Sequence, residues 1–302
     1  MRRAVALLIT LFLVLLMSIA VGVGLKSAVK AKESVQKEAF MIQSAMLVED
    51  VLAMLKSSPE LRQITDSNTS SALFAFLSSA SVIPFQSGDV RVLVSLQSAR
   101  GHFNINALKD ANQTKANEKA ARLEELFLRH ELTSQLVAYI QDAMGGIKAD
   151  GSYKSDLFLE RPELFRDYIA SPHHLEKILL VYGQKYHINP YSKLNFDTLF
   201  SFEKEPETKV DLNYATPEVW ELLIGASKER AQALYEKEGS FETLEDVGLD
   251  AKEKEMLALF DYSFFEPVIR VHIDIVEGNI KGMIEFEYDL RTQKAGNFVY
   301  EI

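Results

Sequence analysis

The hydrophobic positions of this chain follow three different rules in succession. Residues 4–25, AVALLITLFLVLLMSIAVGVGL, are apolar on every side and carry no charge. As a helix they would span ~33 Å, enough for a bilayer core of ~30 Å. Insertion gains on the order of −4 to −8 kcal/mol, which outweighs Thr10 and Ser18. The pattern then becomes helical with one apolar face. Val35, Ala39, Ile42 and Met46 recur at 4-3-4 spacing, and Lys32, Glu33, Lys37 and Glu38 take the other face. No Gly or Pro interrupts the stretch between Gly24 and Pro59, so the helix is predicted to run on to about Lys56. A cleaved signal peptide and a plain one-span anchor both fit Arg2, Arg3 and the apolar run, but neither explains the helix that follows.

The third rule is alternation. Val90, Val92, Val94 and Leu96 alternate with Arg91, Leu93, Ser95 and Gln97, a strand covered on one face. Ile269, Val271, Ile273 and Ile275 do the same, Gly278 and Asn279 make a turn, and Ile284, Phe286, Tyr288 and Leu290 continue. Residues 297–302 give a third short strand. Between these blocks the period is helical. Glu118 to Gln141 reads as a helix stopped by Gly145 and Gly146, and residues 144–156 as a polar loop. Pro162–Tyr168, Pro172–Tyr182, Pro217–Ile224, Lys228–Glu238 and Ala251–Phe260 read as further helices, with Thr216 as an N-cap. Ser57 to Ser81 reads as a loop with a short helix near Ala72–Leu77, and Asn189–Glu207 as irregular.

A lone strand does not stand in water, so the strand near Val92 is expected to join the C-terminal meander. A sheet packed on the long helix would bury its 35-39-42-46 face. The prediction is an α+β fold: a long N-terminal helix on a small antiparallel sheet, with a large helical insertion.

Charge narrows the function. Lys and Arg total 33 against 43 Asp and Glu; five of the basic residues and none of the acids lie in residues 1–32, so the remainder carries a net −15. That balance repels phosphate backbones. There is no cysteine, which removes disulfides, thiolate metal sites and cysteine nucleophiles. Arg2 and Arg3 favour a cytoplasmic N-terminus and an extracytoplasmic bulk.

Two segments of the helical block echo each other: Phe103-Asn104-Ile105-Asn106-Ala107 and Asp211-Leu212-Asn213-Tyr214-Ala215. Asn before a helix caps it and fixes the entering turn. Glu221 to Val247 looks like a helix-hairpin-helix unit, a module that often grips nucleic-acid backbone. Its turn is Gly225-Ala226-Ser227, without the second glycine, amid Glu218, Glu221, Glu229, Glu236 and Glu238, which reads as a structural hairpin. His173-His174 with Glu176 lacks the zinc HExxH spacing, Ser227 is not flanked by the glycines of a nucleophile elbow, and no phosphate loop appears. Trp220, in an apolar helix, is expected in the core. The reading is of a non-enzyme.

Taken together, the apolar N-terminus, the strand running into Arg100 to Leu108, the Val210–Ala215 turn and the Phe241–Val247 segment resemble the minor pseudopilin K family of type II secretion systems over nearly the full length. The resemblance implies a leader at 1–4 and a membrane and assembly helix at 5–25. It implies a pilin-like α+β domain from 26–103 plus 263–302, and an inserted helical domain of SAM-like, helix-hairpin-helix kind at 104–262. It implies removal of the leader between Ala4 and Val5 by prepilin peptidase, although that family usually ends its leader in glycine. Leu7, Ile9, Phe12 and Leu16 become assembly-helix positions. Most pilin-like subunits have glutamate at the fifth mature residue; Ile9 stands there, as expected of a tip subunit, where an unpaired glutamate would cost ~2.5 kcal/mol or more in the membrane.

The implied partners are minor pseudopilins I and J, the major pseudopilin, prepilin peptidase, the inner-membrane assembly platform and membrane lipid, without nucleic acid. The implied place is the inner membrane, single-pass, with the bulk in the periplasm at the tip of a pseudopilus that serves protein export across the outer membrane. Family members can bind calcium near an Asp-Trp-Ile-Asp segment. The matching stretch here is Ala138-Tyr139-Ile140-Gln141, which leaves Asp142, Asp150 and Asp156 as calcium candidates. The alternative function is a membrane-anchored helix-hairpin-helix module that captures DNA or another extracytoplasmic ligand.

Overall fold

The structure is a computed structural model and describes residues 38 and 40–301, apart from 88, 89, 110 and 279. Helix α1 (residues 40–57) is rich in Leu, Met and Ala and ends at Ser57. Ser58 then caps α2 (Pro59–Ser67), its Oγ accepting from Leu61 N at 3.3 Å, with Pro59 in the first turn. Helix α3 (Ser70–Ser79) follows, so the segment expected to be mostly loop is two helices.

Strands β1 (Val82–Ser87) and β2 (Val90–Ser98) form a hairpin. At the far end of the chain β7 (Val268–Glu277), β8 (Ile280–Asp289) and β9 (Lys294–Glu301) complete a five-stranded antiparallel sheet in the order β1-β2-β7-β8-β9. The predicted joining of the Val92 strand to the meander is seen: Val94 pairs with Ile273, which pairs with Ile284, which pairs with Tyr300. Strand β1 is an element the hydrophobic pattern does not predict. Pro84 interrupts its pattern, and a proline is tolerated there because β1 is an edge.

The helical block lies between β2 and β7. Strand β3 (Phe103–Asn104) leads into α4 (Gln113–Arg129), α5 (Gln135–Met144), α6 (Leu157–Glu160), α7 (Pro172–Tyr186), α8 (Phe196–Leu199) and β4 (Phe200–Ser201). Strand β5 (Val210–Asp211) leads into α9 (Pro217–Ile224), α10 (Lys228–Tyr235), α11 (Leu244–Val247), α12 (Ala251–Leu257) and β6 (Tyr262–Ser263). Strand β3 pairs in parallel with β4, and β5 with β6.

The single helix expected over Glu118–Gln141 is two. Glu131 takes φ +59°, Leu132 N bonds Phe127 O at 2.9 Å and Glu131 N bonds Leu128 O at 3.1 Å. This is a left-handed helix stop, made without the glycine that normally announces it. The helix expected over Pro162–Tyr168 is a run of turns, because Arg166 O accepts from Gly146 N (2.6 Å) and Asp167 O from Lys109 Nζ (3.0 Å) instead of closing helical bonds.

Among the described residues, two hydrophobic clusters result. One is built within 103–260 around Trp220, Phe196 and Leu222. The other joins α1, α2 and α3 to the inner face of the sheet.

Candidate assembly surface

Helix α1 lies on the sheet through Phe40, Ser44, Val48, Val51 and Leu55, all buried. The face predicted to be buried is not the one used. Val35 and Ala39 lie outside the described residues, and Ile42 and Met46 are 58% and 61% exposed. Both lines have helical spacing, and tertiary fit chooses between them. Phe40 lies over Gly282, where a methyl group would stand 2.6 Å from Phe40 Cε1. Only a strand position without a side chain admits that ring.

Ile42 and Met46, the described part of the unused line, are therefore bare; Met54 and, on the other side of the buried line, Met41 are also more than two-fifths exposed. Beside the buried line, Gln43, Leu47, Asp50 and Met54 wall a groove of about 500 Å³ closed by Phe85, Gln86, Val90 and Val92. Ser44 Oγ is buried there without a hydrogen-bond partner. Covering Ile42, Met46 and Met54 gains on the order of 3 kcal/mol, so this face of α1 is suited to a second apolar surface. The membrane and assembly positions Leu7, Ile9, Phe12 and Leu16, and the processing pair Ala4 and Val5, lie outside the described residues. Among the described residues, no helix is long and apolar enough to cross a membrane.

The helical block is fixed to the sheet by charge. Arg100, at the end of β2, donates through Nη1 to Glu203 and through Nη2 to Glu287 of β8, each at 2.9 Å. Burial raises the Glu203 carboxyl above its ordinary range, against the pull of Arg100. Ser201 Oγ and Asn297 Nδ2 supply further donors at 2.5 and 3.1 Å. Gly101 has no room for a side chain: a Cβ would meet Tyr214 O at 2.2 Å. Arg100 opens the motif 100–108, but the clamp is not visible there because Glu203 and Glu287 lie 103 and 187 residues further on. The available signal was a lone arginine between Ala99 and Gly101 at the end of an apolar strand.

The echoing segments are the same device twice. Asn104 Oδ1 accepts from Asn106 N, and Asn106 exchanges two bonds with Ile169 and donates to Glu203 O. Asp211 Oδ1 accepts from Asn213 N, and Asn213 exchanges two bonds with Phe241 and donates to Phe264 O. All four side chains are buried, so these are structural turns.

The hairpin turn is closed in the same way. Gly225 takes φ +64°, Ser227 Oγ accepts from Arg230 N, and Arg129 donates to the carbonyls of Glu221 and Ala226 at 2.7 Å. The buried His130 bridges Lys193 O (3.1 Å) and Glu221 Oε2 (2.8 Å), tying α4 to α9. Trp220 is fully buried, as expected.

The three calcium candidates are not brought together. Asp142 accepts from Lys154 N, Ser155 N and Ser155 Oγ; Asp156 is bonded by Tyr139 and Lys185; Asp150 is exposed and accepts from Ser152 N. Among the described residues, no group of three His, Cys, Asp or Glu is placed to hold a metal ion.

No protein-family model matches the sequence, and no curated protein matches it. The fold does have a solved counterpart. It is similar to a chain in the crystal structure of the GspK-GspI-GspJ complex from the enterotoxigenic Escherichia coli type 2 secretion system. The similarity has a TM-score of 0.54 at 16% identity, and covers 88% of this chain and 97% of that one. The likeness is one of fold, α+β with an antiparallel sheet, extending over nearly the whole of that chain.

Proposed function

We propose that this chain is a minor pseudopilin of the K type. It would insert its apolar N-terminus in the inner membrane, hold its bulk in the periplasm, and cap the tip of the pseudopilus that supports protein export. The observation that carries the proposal is α1: a helix with one apolar line sealed on the sheet and Ile42 and Met46, on another face, left bare, in a chain whose residues 4–25 are an uncharged apolar run. Exposed apolar side chains on a helix mark an interaction surface, and another helix of the same kind would cover them. The solved chain with this fold stands in a complex with two sister proteins, which supports partners of the I and J type. The major pseudopilin, the assembly platform and prepilin peptidase, acting between Ala4 and Val5, follow from the same role. The role assigned to every charged cluster described above is structural, and no catalytic step is proposed.

The test is complementation. In cells that carry a type II secretion system, deleting this chain should abolish export of the system's substrates. The intact chain should restore export, and an Ile42→Glu, Met46→Glu variant should not. Normal export from the deletion strain would refute the proposal.

A further inference from the structure

The resemblance implies calcium close to residues 138–141, and the side chains at that place do not fit it. Calcium takes six to eight oxygens at about 2.3–2.6 Å. Ala138 and Gln141 stand where the resemblance implies acids. Asp142 is 1% exposed and its oxygens are already engaged: Oδ1 accepts from Lys154 N at 3.0 Å, and Oδ2 accepts from Ser155 N at 2.6 Å and Ser155 Oγ at 2.7 Å. A divalent ion would have to strip these donors and leave backbone N–H groups unpaired next to the core, which is costly.

What stands around the carboxylates is ammonium. Lys148 Nζ lies 3.5 Å from Asp142 Oδ1, donates to Ser152 O at 2.9 Å and sits over the Tyr153 ring at 5.2 Å. Lys154 Nζ donates to Gln141 Oε1 at 2.7 Å. Lys185 reaches from α7 to Asp156, which also accepts from the buried Tyr139. Burial works against the Asp156 charge, yet these two donors hold its carboxyl below the usual range.

We propose that the segment 142–156 is held by the chain's own ammonium groups, Lys148 and Lys185 foremost, and that this protein is indifferent to calcium. The lysines supply the positive charge that the two carboxylates need, and they are tethered, so the loop keeps its shape without a bound ion. The inference is independent of the assembly role.

The experiment is thermal unfolding of the full chain in detergent micelles, in millimolar calcium and in excess EDTA, together with terbium luminescence sensitised by Tyr139 and Tyr153. One Tm in both media and no saturable terbium signal at micromolar metal are expected. A Lys148→Gln, Lys185→Gln double variant should lose about 3 °C or more in Tm, equally with calcium and EDTA. It should also gain a protease-sensitive site within 142–156, whereas the corresponding double arginine variant should match the wild type. If the double variant fails to fold, Lys185→Gln alone, at the exposed end of its pair, gives the protease readout. A Tm raised by calcium, a saturable terbium signal, or glutamine variants as resistant to heat and protease as the wild type would overturn the proposal.

Discussion

Phe40 and Gly282 share one space. The ring fills the gap that the missing side chain leaves in β8, and with Val48, Val51 and Leu55 it seats α1 on the sheet. Gly282→Ala should therefore destabilise by about 1–3 kcal/mol through overpacking. Urea unfolding of the full chain checks this, and adding Phe40→Leu should recover part of the loss. An unchanged midpoint for Gly282→Ala would mean that the ring does not lie there.

The bare line on α1 separates folding from assembly. Ile42→Glu and Met46→Glu change exposed positions and should leave stability within about 0.5 kcal/mol. Capture of sister subunits on the same variants should fall at least tenfold. Loss of both stability and capture would place these side chains in the core.

The Arg100 clamp predicts a larger loss. Arg100→Ala leaves the buried Glu203 without its cation and Glu287 with only the longer 3.8 Å contact to Arg270 among the described residues, and should cost about 3–5 kcal/mol. A double variant that also changes Glu203→Gln should lose less than the sum of the two single changes. Additive losses would show that the pair is not coupled.

His102 gives the chain an acid-sensitive limb. Burial, with Arg270 nearby, lowers its pKa to about 4, and its Nδ1 is buried without a partner. The folded chain holds the ring neutral while the unfolded chain binds a proton below about pH 6.5. Stability from this group is thus fully present above about pH 6.5 and declines as pH falls toward 4, by on the order of 3 kcal/mol. Urea midpoints measured across that window should fall for the wild type and stay flatter for His102→Gln. An equal slope in both would assign the decline to other groups.

The parts legible in the sequence were those with a local cause. Alternation at 90–96 and 269–275 marked the strands and their covered face, and Thr216 marked the start of α9, where its Oγ accepts from Val219 N. The paired asparagine turns were legible because Asn104, Asn106, Asp211 and Asn213 bond their own neighbourhoods. What escaped depends on distant residues. Two apolar lines on α1 have the same spacing, and the choice between them rests on fit to residues far along the chain, Gly282 among them. Glu131 stops α4 where no glycine warned of it. At the candidate calcium loop, the acids were visible but their partners were not, because Lys185 comes from a helix about thirty residues later.

Affinity capture of the full chain, co-expressed with minor pseudopilins I and J of the same secretion system, tests the central claim most directly. The account predicts a single complex containing all three proteins, stable through size exclusion and lost with Ile42→Glu, Met46→Glu. Elution of this chain without I and J, or salt-sensitive binding of DNA in their place, would contradict it.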